Sequence, residues 1–233
     1  MGIRRGPNVV SSGLLYYLDS ANTFCYTSGS ATCSDLIDSN SIGNVYSGID
    51  YSSSMAAGSW VFDGGASASI DVPALNNVTD FSISIWFRVT GDSQVGSTGY
   101  NTLIGNLTGG DNRILINTAG SNNRRIALDF ATPDSVIITN STTSLDEWNN
   151  VVFAYNNTTG TGSLYVNNAL SVTPIEDSTI SYNNTAHFLG GSELPIGNYA
   201  MNGYISSCAI YDRVLSEAEV SQNYNALKTR FGL

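Results

Sequence analysis

Apolar and polar residues alternate along much of this chain, which is the period-2 pattern of β-strands with one face against a core. The clearest case is segment 81–89, FSISIWFRV, in which one face is continuously apolar: Phe81, Ile83, Ile85, Phe87 and Val89. We expect these residues to be buried. Trp86 lies on the opposite face between small polar residues, so we expect that second face to be only partly covered.

Segment 147–169, EWNNVVFAYNNTTGTGSLYVNNA, contains two adjacent strands and the turns that follow them. Its apolar residues alternate over 151–155 and resume at 164–166. The intervening Asn and Gly residues tolerate the positive φ that a strand reversal needs. Asn167 and Asn168 stand where a two-residue hairpin takes two left-handed residues, so the pattern predicts antiparallel β-structure without a catalytic group.

Further strand signals recur between turns rich in Gly, Asn and Ser, at 13–18, 59–62, 68–72, 102–104, 113–116, 124–130, 135–138, 187–189 and 204–211. Many short strands of this kind predict an all-β sandwich or barrel. No run of Pro or charge divides the 233 residues. We therefore expect an N-terminal arm over 1–12 and a single domain over 13–233.

One helix is predicted over 216–231, near the C-terminal end of the sequence. Ser216 and Glu219 form the S-x-x-E capping box, and Leu215 and Val220 flank it as a hydrophobic staple. The apolar positions that follow have helical spacing: Val220, Tyr224, Leu227 and Phe231. They form one stripe that we expect to lie against a sheet.

The charge of the chain excludes one class of partner. Its net charge is −10, which disfavours nucleic acid, and only 12% of its residues are charged, against about 25% in an average soluble domain. Several of the basic residues lie near the two ends: Arg4, Arg5, Lys228 and Arg230. These ends are either solvated or docked on an acidic neighbour.

The N-terminal sequence has no apolar signal region, and no window approaches about 18 consecutive apolar residues, so we expect synthesis in a cytoplasm and no membrane span. Three cysteines allow at most one internal pair. Cys25 and Cys33 are the nearest candidates and are left as an open alternative to free thiols. Cys208 is interpreted as a small core residue.

Four segments together resemble the laminin-G-like or concanavalin A-like lectin/glucanase superfamily: FDGGASASIDV, FSISIWFRV, EWNNVVFAYNNTTGTGSLYVNN and YAMNGYISSCAIYDRVLSEAEVSQNYNA. The resemblance covers nearly the whole chain. It implies a jelly-roll sandwich of two curved antiparallel sheets, closed by the C-terminal helix.

The opening MGIRRGPNVVSSGLLYYLDSAN and the close NYNALKTRFGL look like the single-domain versions encoded by tailed, especially marine, bacteriophages. This resemblance implies a component of the virion surface, with capsid or tail subunits or a second copy of the chain as partners. On that interpretation Arg4, Arg5, Lys228 and Arg230 would make the assembly contacts.

Many members of the superfamily carry a structural calcium, so the resemblance implies a candidate site at Asp35, Asp38 and Asn40, where oxygen ligands are retained. Ser206 stands where a second Asp ligand would be, which removes a charge. The alternative is that 33–44 is a polar loop without metal.

A glycan site in this fold would combine Asn, Asp and an aromatic ring in loops or on the concave face. Six residues of the right type lie in predicted loops: Tyr100, Asn101, Asp111, Asn112, Asn198 and Tyr199. The three tryptophans, Trp60, Trp86 and Trp148, lie in strand-like segments, where packing is the commoner role.

Catalysis is not indicated. Glucanases of this fold place paired acids as E-x-D-x-(x)-E along one strand, and no such run exists here. Asp146 and Glu147 are adjacent and would point to opposite faces. His187 lies in the apolar AHFLGG and is interpreted as structural. The first hypothesis is therefore a non-enzymatic virion accessory protein, followed by a free-standing carbohydrate-binding adhesin and, more distantly, a polysaccharide hydrolase.

Overall fold

The computed structural model describes residues 8–65, 68–72, 79–92, 101–105, 114–119, 125–131, 134–176, 187–191 and 200–233. The strands in the first part of the chain are β1 Leu14–Asp19, β2 Thr32–Ser34, β3 Ile42–Asn44, β4 Ile49–Ser52, β5 Ser59–Asp63, β6 Ile70–Val72, β7 Phe81–Val89 and β8 Asn101–Gly105. The later strands are β9 Ile114–Ala119, β10 Arg125–Ala131, β11 Asp134–Thr142, β12 Asn149–Asn156, β13 Thr161–Val166, β14 Ala169–Glu176, β15 His187–Leu189 and β16 Asn202–Tyr211. Helix α1 spans Glu217–Leu227 and continues into a 3-10 turn at Lys228–Phe231.

Two antiparallel sheets form the sandwich. The larger has eight strands, in the order β14-β13-β12-β7-β16-β5-β4, with β1 paired to β16 as well. The smaller has six strands, in the order β11-β10-β9-β8-β15-β6, and β2 and β3 form a separate hairpin. This architecture confirms the all-β antiparallel jelly-roll sandwich with one C-terminal helix.

The core lies between the two sheets. Phe81, Ile83, Ile85 and Phe87 are fully buried there, as their alternation predicts. The six-stranded sheet contributes its own apolar residues to the same cluster, among them Ile104, Leu128 and Leu189. Burying a large apolar side chain contributes roughly 1.5–3 kcal/mol, so this double layer is the main source of stability.

The opposite face of β7 is covered as well, contrary to the expectation of partial cover. Trp86 is only 2% exposed. Phe231 stacks on its ring at 4.0 Å with the planes 6° apart, and Tyr224 stacks at 5.4 Å. Period-2 alternation shows which side chains share a face, but the cover over Trp86 comes from a segment about 140 residues further along the chain.

Helix α1 begins as predicted. Ser216 is its N-cap and forms the full capping box with Glu219. Hydrogen bonds from the Arg213 guanidinium, followed by those from Ser216, hold the pKa of Glu219 at about 2. Leu215 and Val220 belong to one buried cluster, which confirms the staple. The predicted helix over 216–231 is interrupted only in its last turn, which is 3-10.

The Asn167-Asn168 turn also forms as predicted. Both residues have left-handed backbones, with φ of 50° and 68°. The Asn167 side chain is part of the hairpin, because its oxygen accepts the Asn150 N–H at 2.8 Å and its amide donates to Asn149 at 2.9 Å. The turn therefore sets the register between β13 and β14 and ties it back to β12.

The described part of the predicted arm lies on the domain. Asn8 accepts a hydrogen bond from Gln222 at 2.8 Å. Val10 is buried, and its N–H donates to Asn223 at 2.8 Å while its carbonyl accepts from Tyr211 at 3.1 Å. The boundary of an arm over 1–12 stays a prediction, and 1–7, including Arg4 and Arg5, lies outside the described residues.

All three cysteines are buried free thiols, so the alternative of a Cys25–Cys33 disulfide is not formed in this structure. Cys208 is fully buried on β16, as expected of a small core residue. No helix in the described ranges is long and apolar enough to cross a membrane.

The capping box gives a direct test of how firmly α1 is held. We expect Ser216→Ala to lower the free energy of unfolding by about 1 kcal/mol, because the side chain that accepts the Glu219 N–H is lost. Denaturant unfolding measures this. Ser47→Ala, on an exposed turn, is the matched control, and a loss no larger than that of the control would contradict the cap assignment.

Candidate functional site

The predicted glycan residues fall into two groups. Five of them lie outside the described residues: Tyr100, Asp111, Asn112, Asn198 and Tyr199. Asn101 is described and is fully buried. Its oxygen accepts the Asn202 N–H at 2.7 Å, and its amide donates to the Gly91 carbonyl at 3.1 Å. Its side chain therefore ties β8 to β16 inside the fold, which corrects the expectation that it faces a ligand.

The candidate calcium loop is held by its own backbone. The Asp35 carboxylate is buried and accepts N–H groups from Tyr17 at 2.9 Å, Ile37 at 3.0 Å and Asp38 at 3.2 Å. Asp38 accepts both the backbone and the side-chain N–H of Asn40, each at 3.0 Å. Three N–H groups thus fix the orientation of the Asp35 carboxylate within the loop.

In the described ranges, no group of three or more His, Cys, Asp or Glu side chains is placed to hold a metal. Calcium at this loop stays a prediction. Its predicted second position, Ser206, lies in a different polar cluster, where its hydroxyl donates to the Gly58 carbonyl at 3.0 Å.

The C-terminal cations have partners within their own chain. Arg230 forms an ion pair with Asp19 at 2.8 Å and donates to Ala56, Gly58 and Ser206. This corrects the expectation that its guanidinium is available to a neighbouring subunit.

Lys228 is half-buried, with Nζ 5.9 Å from the centre of the Tyr224 ring. The assembly contact expected of Lys228 stays a prediction.

His187 occupies the core, as the sequence predicts. It is 3% exposed, and burial lowers its pKa from 6.5 to about 4. Within the described ranges no group hydrogen-bonds to its Nδ1, so none is in place there to orient the ring as a general base.

Asp146, the other acid weighed for catalysis, is 61% exposed at its side chain and pairs with Arg88 at 3.2 Å. A general acid of this kind is held in an apolar pocket, whereas the Asp146 carboxylate is exposed and paired with an arginine. Neither Asp146 nor His187 is therefore arranged as a catalytic group.

A polar cluster that the sequence does not indicate lies where β3 meets the edge of the six-stranded sheet. Asp71 on β6 accepts the Asn44 side-chain amide at 2.7 Å and the Tyr46 hydroxyl at 3.2 Å, both through Oδ2. We call Asn44, Tyr46 and Asp71 the Asp71 cluster. Asn44 is exposed and the other two are half-exposed, so solvent and solutes reach all three.

Close backbone contact brings the cluster together. Val45 forms an isolated bridge with Ile70, which places β3 beside β6. A Cβ on Gly43 would lie 2.4 Å from the Asp71 carbonyl oxygen, so only glycine permits this approach. Phe188 is paired with Asp71 on the other side, in β15, and retains 8% exposure.

The Asp71 cluster offers both donors and acceptors of hydrogen bonds. Desolvation, followed by the neighbouring Asp71 carboxylate, raises the pKa of Tyr46, so its phenol stays a donor. Both protein donors use Oδ2, and among the described residues no group donates to Oδ1 of Asp71. One carboxylate oxygen and the Asn44 amide oxygen can therefore accept further hydrogen bonds.

The sequence offered no local signal for this cluster. Asn44 and Asp71 are 27 positions apart and lie in different segments. Asn44 and Asp71 become neighbours only when β3 packs beside β6 at the edge of the sheet. Strand β3 itself has no strong strand pattern in the sequence.

A sequence profile of the family described as "Concanavalin A-like lectin/glucanases superfamily" matches residues 62–221. A search of the curated proteins finds no match. Among solved structures, domain 4 of an extracellular arabinanase from Geobacillus stearothermophilus, in complex with arabinotriose, superposes with a TM-score of 0.67 at 17% identity, covering 92% of this chain and 98% of that one.

Two larger proteins contain a similar domain. Trypanosoma rangeli sialidase superposes with a TM-score of 0.70 at 14% identity over 97% of this chain, which spans only 35% of the sialidase. The receptor-binding domain of botulinum neurotoxin type G superposes at 0.63 with 16% identity, covering 91% of this chain and 51% of that one. At these identities the likeness shows the fold alone.

The buried imidazole gives a test that needs no variant, because His187 is the only histidine in the chain. We expect its ring signals in NMR spectra to stay unchanged from pH 8 to pH 5, since burial holds its pKa near 4. The unfolded chain binds a proton near pH 6.5, so stability should fall as pH drops from 6.5 towards 4. Titration of the signals near pH 6.5 would show that the ring is solvated.

Proposed function

This chain belongs to the concanavalin A-like lectin/glucanase superfamily, and we propose that within it the protein is a non-enzymatic, glycan-binding accessory protein of a tailed-phage virion. It is displayed on the particle surface as a head decoration or as a tail or fibre component. Its partners are capsid or tail subunits, a second copy of the chain and a glycan on the host surface.

The Asp71 cluster is the observation that carries the glycan-binding part. Sugar hydroxyls both donate and accept, so they suit a site that offers a carboxylate oxygen, an amide and a phenol within hydrogen-bond reach of one another. A hydrogen bond to a charged acceptor contributes about 1.5–3 kcal/mol, so Asp71 is the strongest single ligand of the set. The chain's net charge of −10 favours neutral over acidic saccharides.

A relative supports the same reading. The arabinanase domain that matches this chain nearly end to end is a separate domain of its enzyme and is bound to arabinotriose. In that arabinanase, a domain of this fold holds a saccharide.

The non-enzymatic part rests on the carboxylates. Glycoside hydrolysis needs two carboxyl groups on either side of the scissile bond, roughly 5–9.5 Å apart. The sequence has no E-x-D-x-(x)-E run, and the Asp71 cluster contains one carboxylate only. Binding without bond cleavage is what a single acid with an amide and a phenol supports.

The virion part rests on the resemblance of the two ends of the sequence to phage single-domain proteins, together with the pair of cations at Arg4 and Arg5 beside an acidic domain. A free-standing adhesin would use the same Asp71 cluster. Detecting the protein in purified phage particles would distinguish a virion component from a free-standing adhesin.

We expect Asp71→Ala to lower the affinity for the saccharide that the wild type binds by about tenfold or more, because a charged acceptor is removed from the site. A glycan array of neutral and acidic saccharides identifies the ligand, and titration calorimetry gives both affinities. Asp50→Ala is the matched control, since Asp50 is an exposed strand carboxylate in the other sheet.

Three outcomes would count against the function proposed here. Equal affinities of Asp71→Ala and Asp50→Ala for the saccharide would show that the Asp71 cluster is not the binding site. No binding to any saccharide on the array would overturn the glycan-binding part. Release of reducing ends from a bound polysaccharide, lost on a single carboxylate substitution, would overturn the non-enzymatic part.

We expect deletion of residues 1–5 to leave folding intact and to lower the occupancy of the protein on particles. Arg4 and Arg5 would make charge-assisted bonds to shell carboxylates, which salt screens. The difference in occupancy between the wild type and the truncated protein should therefore be largest at low ionic strength and shrink as salt is added. Cryo-electron microscopy of reconstituted particles measures occupancy, and replacement of both arginines by Gln is the control for chain length. Full occupancy of the truncated protein would mean that docking uses the sandwich faces or loops instead.

A further inference from the structure

A cage of oxygen atoms surrounds the Arg230 guanidinium. Nη1 donates to both oxygens of Asp19, at 2.8 and 2.9 Å, and Nε donates to the Ala56 carbonyl at 2.5 Å. Nη2 donates to the Gly58 carbonyl at 3.2 Å and to the Ser206 hydroxyl. All three guanidinium nitrogens are thus satisfied, and every group facing them is an acceptor. We call Asp19, Ala56, Gly58 and Ser206 the Arg230 cage.

The cage is assembled from three distant parts of the chain. Asp19 ends β1, Ala56 and Gly58 lie in the turn before β5, and Ser206 lies where the register of β16 shifts. The pairing of strands in the sheet, rather than one continuous loop, therefore brings these four residues together. The side chains of Arg230 and Asp19 are only 16% and 15% exposed.

The backbone of the cage is held in place without help from Arg230. The Ser20 hydroxyl lies 2.9 Å from both the Gly58 and the Ser206 carbonyl oxygens and shares its one proton between them. The Ser206 hydroxyl donates to the Gly58 carbonyl at 3.0 Å. A Cβ on Gly58 would lie 2.4 Å from the Tyr51 hydroxyl. The cage therefore has a fixed shape of its own.

Backbone strain adds to this rigidity. Ala56 and Ala57 both have left-handed backbones, with φ of 48° and 59°. Such conformations cost non-glycine residues free energy and persist where the surroundings impose them. Here they direct the Ala56 carbonyl to the Arg230 Nε.

We propose that the Arg230 cage is a binding site for planar guanidinium cations, which the chain fills in cis with its own Arg230. The acceptors match the flat fork of five N–H donors, and the carboxylate supplies the countercharge. An ammonium ion offers its donors in a tetrahedral arrangement and cannot reach acceptors spread around a plane. When Arg230 is removed, the preformed cage is left to accept an alkylguanidinium or an arginine side chain from another molecule.

The experiment removes the Arg230 side chain by mutation and then adds a small guanidinium ion to the solution. We expect Arg230→Ala, in the full chain, to lower Tm by about 6–12 °C, because it leaves the Asp19 carboxylate without its partner. Millimolar methylguanidinium should raise the Tm of this variant along a saturating curve and leave the wild type unchanged, since a ligand stabilises only a state with an open site.

Several controls separate the cage from general effects of added solutes. Ammonium tests charge without shape and urea tests shape without charge, and neither should raise the Tm. Arg213→Ala removes another ion-paired arginine, whose side chain is 30% exposed, and should not be rescued. Adding Asp19→Asn to Arg230→Ala should abolish rescue by methylguanidinium. Absence of rescue, or equal rescue by ammonium, would overturn the proposal.

A measurement on the wild type covers the case in which Arg230→Ala does not fold. The Arg230 Nε–H is bonded to the Ala56 carbonyl, so NMR should show its exchange with solvent slowed by at least about tenfold relative to the unfolded chain. Exchange as fast as in the unfolded chain would show that the guanidinium does not occupy the cage.

Discussion

The fold depends on how one strand, β16, is shared. Along one edge β16 pairs with β7 over nearly its whole length. Along the other edge it pairs first with β5 and then with β1, so two strands meet end to end there. The register shift between Ile205 and Ser207 marks this change of partner, and backbone groups at such a junction lose their regular ladder partners. The Ser20 N–H and hydroxyl donate to the Ser206 carbonyl there, and Arg230 donates to the Ser206 hydroxyl.

The C-terminal segment, residues 217–231, contacts the eight-stranded sheet in two ways. Arg230 closes the junction in the eight-stranded sheet, and the next residue, Phe231, stacks on Trp86 on the outer face of the same sheet. Tyr224 and Leu227 extend that apolar cover along the helix, and Val220 joins a second cluster with residues of β1, β12 and β16. The helix is therefore an integral layer of the sandwich, and the sandwich has a covered face on that side.

The parts of this structure that the sequence predicts are those governed by neighbours along the chain. Strand β7, the capping box at Ser216 and the Asn167-Asn168 turn all follow from local spacing and backbone preference. Strands β2, β3 and β4 have three or four residues each and no clean alternation, so they gave no signal. The cover over Trp86, the burial of Asn101 and the Asp71 cluster depend on contacts between distant segments, which spacing does not encode. Asn101 has the chemistry of a sugar ligand, but its side chain hydrogen-bonds within the fold, which residue type alone does not reveal.

The Arg230 cage and the Asp71 cluster differ in whether their hydrogen-bond acceptors are already occupied. The Arg230 cage is closed, since every acceptor already faces a guanidinium nitrogen and the pair is mostly buried. The Asp71 cluster is open, since Asn44 is exposed and only one of the two Asp71 oxygens accepts a hydrogen bond from a described residue. A closed cluster contributes stability, and an open one retains hydrogen-bonding capacity for a partner. Asp71 is half-exposed and is held by an amide and a phenol, in a chain with only 12% charged residues. The glycan-binding proposal rests on that edge of the six-stranded sheet because these groups can exchange hydrogen bonds with neutral hydroxyls.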